Sequence, residues 1–201
     1  MALSEEDVGD DPIVEVQRWI EDAVAAASAE PFAMQLATTV DDRPTVRTVL
    51  LRGLDGRGFM FVTNLESTKG EQLATNPRCA LTIVWTELSR QVCATGSAER
   101  VSDDDIWAYW HTRPRGHRIG AWASRQSTVV VDRAALDAAA EEYERRFAGT
   151  DDIPVPPWWG GFRLVPDMVE LWAGRVDRLH DRLRWRRDHR EGAWIRERLA
   201  P

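Results

Sequence analysis

The sequence predicts an α+β domain built round an antiparallel barrel, on three observations. Short strand-like runs recur at hairpin spacing, separated by turns rich in Asp and Gly. Helical patterns fall between groups of these runs instead of alternating one-to-one with them. No Gly-rich phosphate loop, fixed-period repeat or hinge-like linker interrupts the chain. At 201 residues, 43% hydrophobic and 29% charged, the chain fits a single domain with ample length for a core.

Residues 1–11 are acidic and are expected to be disordered, leaving 12–201 as the folded domain. Ile13, Val16, Trp19, Ile20 and Val24 recur at helical spacing and predict a helix over 12–28, with Pro12 suited to the first turn. Strands follow at 32–39, 46–51 and 59–63, turned by Asp41-Asp42 and by Gly53, Asp55, Gly56 and Gly58. Residues 67–75 read as a short helix capped by Ser67 and stopped by Asn76-Pro77. Strands are predicted at 79–85 and 91–100, helices at 102–110 and 133–147, and closing strands at 160–172, 178–186 and 194–198.

Charge and targeting signals bound the function. A formal net charge of −7 argues against a nucleic-acid partner, which would meet a basic surplus. The first residues are acidic with no apolar leader, and no apolar run approaches a membrane span. A soluble cytoplasmic protein without a membrane partner is expected. Cys79 and Cys93 lie in strand-like runs without metal-site spacing and are expected as reduced, buried thiols. The ten tryptophans suit cores, subunit interfaces or the stacking of flat ligands.

Four segments carry candidate chemistry. If 178–186 is a strand, Arg178, His180, Arg182 and Arg184 share one face. Such a row asks for an anionic ligand, phosphate above all; a solvated, aggregation-resistant edge explains it equally well. Arg47 and Arg52 bound a strand on opposite faces, and on that segment alone two arginines reaching water is the simpler explanation. Thr63 to Gly70 lies where a strand hands over to a helix N-terminus, a natural anion site, and holds Lys69, the only lysine among 26 basic residues. Residues 109–127 mix cations, aromatics and amide donors in a stretch too irregular for one amphipathic element. No nucleophile elbow or metal-ligand spacing is present. Anion donors beside flat aromatics suit a phosphorylated, planar cofactor or substrate.

Together these segments resemble the pyridoxamine 5′-phosphate oxidase family, from about residue 33 to Pro201, through motifs that occur in order: RTVLLR (47–52), TNLESTKGEQL (63–73), NPR (76–78), SRQV (89–92), YWHTRPRGHRIGAWASRQS (109–127), PPWWGGFRL (156–164), ELWAGRVDRLHDR (170–182) and RLAP (198–201). The resemblance implies a Greek-key split β-barrel with flanking helices, forming a homodimer with FMN at the subunit interface. It implies FMN contacts from the strand Arg47, Thr48, Val49, Leu50, Leu51 and Arg52, from Val62, Thr63, Thr68 and Lys69, and from Gln91, Gln126, Ser127, Trp172 and Arg182. Lys69 would meet the FMN phosphate. Arg52, Tyr109, Arg113 and His117 would hold the substrate phosphate, and Arg178 and His180 would lie over the pyridoxyl ring as the catalytic pair.

The implied activity is oxidation of pyridoxamine or pyridoxine 5′-phosphate to pyridoxal 5′-phosphate, with O2 as acceptor and hydrogen peroxide as product. Arg52 stands where the family commonly has Lys, His117 where Ser is common, and Val62 and Thr68 where Tyr and Arg are frequent. An oxidase of another ring, such as a phenazine precursor, and a non-catalytic carrier of flavin or pyridoxal phosphate are the alternatives.

Overall fold

A computed structural model describes residues 3–201. Helix α1 (Pro12–Ala25) is capped by Asp11, whose side chain accepts from the Ile13 N–H at 2.9 Å. It buries Ile13, Val16, Trp19, Ile20 and Ala23 against the barrel. It stops three residues before the predicted end. Ala27 takes a left-handed φ of 55°, and the Ser28 and Ala27 N–H groups return to the carbonyls of Ala23 and Val24. This is a Schellman cap closed without glycine.

Six antiparallel strands close the barrel: β1 (Ala33–Val40), β2 (Arg43–Asp55), β3 (Gly58–Asn64), β4 (Arg78–Trp85), β5 (Arg90–Arg100) and β6 (Trp159–Ala173). Their order is β3-β2-β1-β4-β5-β6, and β3 pairs with β6 to shut the ring. A meander whose fourth strand returns beside the first is a Greek key. Asp41 and Asp42 both take positive φ, 51° and 57°, as a two-residue primed hairpin turn requires. The N-terminal half of β6 completes the ring, while its C-terminal half pairs with β7 (Asp181–Arg186), and β7 with β8 (Ile195–Arg198).

Alternation sorts the strand side chains into two cores. Phe59 and Phe61 of β3 point into the barrel with Met34, Leu36, Ile83, Val92 and Leu171; Met60, between them, points out. There it joins Val101, Ile106, Trp110, Ile119, Phe147, Ile153 and Trp159 in a second core under α3 (Asp103–Thr112), α4 (Arg115–Ala123) and α5 (Arg133–Arg146). Helix α2 (Thr68–Thr75) lies over β1. No helix among the described residues is long and apolar enough to cross a membrane.

Three expectations are corrected. Residues 3–11 are ordered: Leu3 is buried, its N–H meets Asp181 at 3.1 Å, and Glu5 pairs with Arg198 at 2.7 Å. Glu5 there finds an arginine partner on β8, while Glu6, Asp7 and Asp10 stay exposed; residues 1 and 2 lie outside the described residues. The last long strand begins at Asp181, not Arg178, because Arg178 takes φ 59° and residues 174–180 loop back. Arg178 and His180 are therefore not part of an alternating strand face. Finally, the stretch read as irregular contains α4, a nine-residue helix whose two glycines and three basic residues mask its period. Both cysteines are free; Cys79 is buried, which pushes its thiol up to about 12, and Cys93 is half-buried with its thiol also raised by burial.

Candidate active site

At the end of β3 the chain turns through Leu65 and Glu66 into α2. Gly70 packs so closely on the Leu65 carbonyl that a Cβ would collide with it, which keeps this turn tight. Ser67 is fully buried; its hydroxyl donates to the Asn64 carbonyl at 2.6 Å and caps α2 through the Gly70 N–H. The Lys69 ammonium is held by Thr63 Oγ1 at 3.1 Å, Ser67 Oγ at 3.2 Å and Gln126 Oε1 at 3.1 Å. The Thr68 N–H at the helix start donates to Ser127 Oγ at 3.2 Å.

Arg47 reaches α2 from β2. Its guanidinium donates to Thr38 Oγ1 and Thr45 Oγ1, both at 2.7 Å, and to Gln72 Oε1 at 2.9 Å. Every partner of Lys69 and Arg47 is neutral; neither meets a carboxylate among the described residues. Burial, with the Arg47 charge second, holds the Lys69 ammonium below the ordinary lysine range, and burial lowers Arg47 too. Two half-buried like charges that meet only neutral partners near α2 are relieved by an anion between them, so the donor set has the chemistry of a phosphate cradle.

A second cation group lies nearby. The β2–β3 register slips between Leu51 and Gly53, and this bulge carries Arg52 out of the regular alternation. Its guanidinium lies 5.8 Å from the Tyr109 ring centroid. Tyr109 stacks on Trp159 at 6.0 Å, and Arg113 sits over Trp159 at 4.8 Å and Trp110 at 5.4 Å. Arg113 Nη2 donates to the His117 carbonyl at 3.1 Å, whereas Nη1 is buried with no partner among the described residues. Burial lowers the Arg113 guanidinium. Arg52 and Tyr109 line a cleft of about 570 Å³; Arg113, His117 and Gln126 line a neighbouring cavity of about 280 Å³.

The third group stands apart from both. Gln91 pairs with Trp172 across β5 and β6, and both line a cavity of about 420 Å³. The His180 ring packs 4.6 Å from Trp172, and Arg178 projects from the loop before β7. The supposed row of unpaired cations is neutralised from within: Arg182 forks onto Glu170 at 2.7 and 3.1 Å, and Arg184 meets Glu197 at 2.6 Å. Arg178 alone of the four keeps no ionic or hydrogen-bonded side-chain partner among the described residues.

The structure thus joins Arg47, Thr63, Thr68, Lys69, Gln126 and Ser127, gathers Arg52, Tyr109, Arg113 and His117 nearby, and sets Gln91, Trp172, Arg178, His180 and Arg182 elsewhere. Val49 and Leu51 are buried in the barrel core, so only their backbone is open to a ligand; Leu50 and Val62 are half-buried and Thr48 is exposed. Sequence reasoning missed Thr38, Thr45 and Gln72, the neutral groups that hold Arg47, and Glu170, the partner of Arg182. Gln72 follows Lys69 by three residues on α2, a spacing that puts both on one helix face and could have been noticed.

A closed six-stranded Greek-key barrel with a paired-strand extension, cations gathered at its helix-covered side, defines the split-barrel class. Residues 20–147 match the model described as pyridoxamine 5′-phosphate oxidase, and residues 159–201 match the pyridoxine 5′-phosphate oxidase C-terminal dimerisation region. The chain is 50% identical to the pyridoxine/pyridoxamine 5′-phosphate oxidase of Cupriavidus taiwanensis, over all of this chain and 93% of that one. It is 51% identical to that of Pseudomonas paraeruginosa, over 99% and 93%. Among solved structures it is similar to PhzG from Burkholderia lata in complex with tetrahydrophenazine-1-carboxylic acid, with TM-score 0.91, 33% identity and coverage of 100% and 98%. A pyridoxamine 5′-phosphate oxidase-related, FMN-binding protein from Nostoc punctiforme shares the fold at TM-score 0.70 and 20% identity, with both chains fully covered. The chain belongs to the pyridoxamine 5′-phosphate oxidase family, and its C-terminal strands are the family's dimerisation region.

Proposed function

We propose that the protein is an FMN-dependent oxidase that converts pyridoxamine 5′-phosphate, pyridoxine 5′-phosphate or both to pyridoxal 5′-phosphate, with O2 as acceptor and hydrogen peroxide as product. One observation carries this reading: two groups of cations, half-buried Arg47 with Lys69 and half-buried Arg113 with exposed Arg52, neither paired to a carboxylate among the described residues. A phosphorylated cofactor and a phosphorylated substrate ask for two such groups.

The residues present fit FMN. Lys69, Arg47 and the start of α2 would hold its phosphate, with Thr63, Gln126 and Ser127 completing the cradle. When bound, FMN supplies hydride acceptance from the substrate carbon and reoxidation by O2. Arg113 and Arg52 hold the substrate phosphate, and the Tyr109–Trp159 stack forms a flat wall beside it. Trp172, Arg178 and His180 lie in the dimerisation region, with Gln91 of β5 paired to Trp172, so each site takes this third group from the partner subunit. Arg178 and His180 then lie over the substrate ring and stabilise charge that develops there. The Tyr109–Trp159 wall and the Arg178–His180 loop would orient the substrate ring for that transfer.

The test is incubation of FMN-loaded protein with each substrate in air, following pyridoxal 5′-phosphate and peroxide; absence of turnover with both rejects the reading. Arg178→Ala is expected to lower turnover roughly tenfold or more while leaving FMN bound, since one charge-assisted contact to the substrate is lost. Flavin absorbance after gel filtration and steady-state rates check this, and loss of flavin from Arg178→Ala would place the residue wrongly.

A second reading keeps FMN and exchanges the substrate for a larger ring. It is favoured by the likeness to PhzG and by His117 and Arg52 in the substrate-phosphate group. Tighter binding of tetrahydrophenazine-1-carboxylic acid than of pyridoxal 5′-phosphate would support it.

A further inference from the structure

The loop 174–180 is braced at both ends. At its start the Gly174 N–H donates to the Ser89 carbonyl at 2.8 Å. At its end Asp181, only 8% exposed, accepts from the Leu3 N–H at 3.1 Å and from Arg198 at 3.1 Å, and pairs with Arg175 Nε at 3.2 Å. Between these anchors the Arg175 backbone N–H donates to His180 Nδ1 at 3.0 Å, and Trp172 packs behind the imidazole at 4.6 Å.

A backbone N–H can only donate, so the nitrogen it meets must present a lone pair. In a neutral imidazole the other nitrogen then carries the proton. We propose that the Arg175 backbone N–H fixes neutral His180 as the Nε2–H tautomer, making Arg175 a positioning residue and His180 a hydrogen-bond donor in the site. This rests on the oxidase reading only in taking Nε2, the nitrogen the loop leaves unbonded, as the one that meets substrate. The group it meets is therefore an acceptor, such as an oxygen carried by the substrate ring, and Arg178 on the same loop favours an anionic one. His180 does not take a proton from substrate in this state. Its partner amide is supplied by the loop fold, and that fold is tied through Asp181 to Leu3 and β8.

The test is long-range proton–nitrogen correlation NMR on isotope-labelled, full-length protein with FMN added, the His180 signals being identified by their loss in His180→Gln. Wild type is expected to show a protonated-type shift at Nε2 and a lone-pair-type shift at Nδ1. Arg175→Ala keeps the backbone N–H and keeps this pattern. Arg175→Pro lacks it; the two nitrogens move toward an averaged pair, and kcat/KM for the phosphorylated substrate falls roughly tenfold, the worth of one directed hydrogen bond. An Nδ1–H or averaged pattern in wild type overturns the proposal, as does the wild-type pattern persisting in Arg175→Pro. If Arg175→Pro does not fold, the wild-type pattern still decides. The expected pattern without turnover of either substrate supports the tautomer assignment and rejects the oxidase reading.

Discussion

Lys69→Met is expected to weaken FMN binding by roughly 10- to 100-fold, while leaving the flavin-free protein at least as stable as wild type. A charge-assisted hydrogen bond to phosphate is worth about 1.5–3 kcal/mol, which sets the scale of the loss. The absence of a stability cost follows from the same geometry. Without an anion, the Lys69 ammonium is half-buried against Thr63, Ser67 and Gln126, and it faces the charge of Arg47. Removing it relieves that repulsion and forfeits only neutral hydrogen bonds. The pH dependence has a definite sign. The folded-state lysine value lies below the unfolded one, so between that lowered value and about 10.4 the unfolded chain binds more protons. Wild type should therefore gain stability relative to Lys69→Met as pH rises through this alkaline window in phosphate-free buffer. Flavin fluorescence titration and paired thermal melts measure both effects. Wild-type FMN affinity in the variant would show that Lys69 does not serve the phosphate, and a wild-type stability that falls relative to the variant with rising pH would show that its ammonium is not destabilised in the flavin-free fold.

How far these residues could be read from sequence depends on whether their partners are local. Lys69 was legible because strand, cap and helix start are contiguous, and because it is the only lysine of the chain. The barrel strands were legible because each alternates between turn residues; Asp41-Asp42 marks its hairpin to the residue. That the strands form a barrel was legible, but which two close it was not, since β3 and β6 meet across about a hundred residues and nothing local specifies the pairing. The row from Arg178 to Arg184 shows the same limit in the site. Its alternation was correct from Asp181 onward, but the carboxylates that neutralise it, Glu170 and Glu197, come from neighbouring strands through register alone. Arg178 and His180 left the row because Asp181 is gripped by Leu3, Arg198 and Arg175, a contact from the far end of the chain. The acidic N-terminus looked disordered for the same reason: the arginine partner of Glu5 is nearly two hundred residues away.

Trp110→Ala is expected to destabilise the protein by about 3–5 kcal/mol, as large-to-small changes of aromatic core residues do. For a chain of this size that corresponds to a melting point lower by roughly 6–20 °C. Trp110 has no exposed surface, stands edge-on to Trp159 at 4.7 Å, and donates from Nε1 to the buried Ile153 carbonyl at 2.7 Å. Alanine leaves a cavity in the second core and orphans that carbonyl. Phenylalanine fills much of the cavity but still leaves the carbonyl unpaired, so Trp110→Phe is expected to cost about 1–3 kcal/mol. The two variants also separate packing from function. Arg113 lies over the Trp110 ring as well as the Trp159 ring, and these faces hold its Nη1, which has no partner among the described residues. Trp110→Phe preserves an aromatic face beneath the guanidinium, whereas Trp110→Ala removes it. Substrate KM should therefore rise more in Trp110→Ala than in Trp110→Phe, while FMN affinity, expected to rest on Lys69 and Arg47, changes less than KM in both. Denaturant or thermal unfolding gives the stabilities and steady-state kinetics give the KM values. If Trp110→Ala melts with the wild type, or if it loses FMN before it loses substrate, then the second core does not support the substrate-phosphate group as its geometry implies.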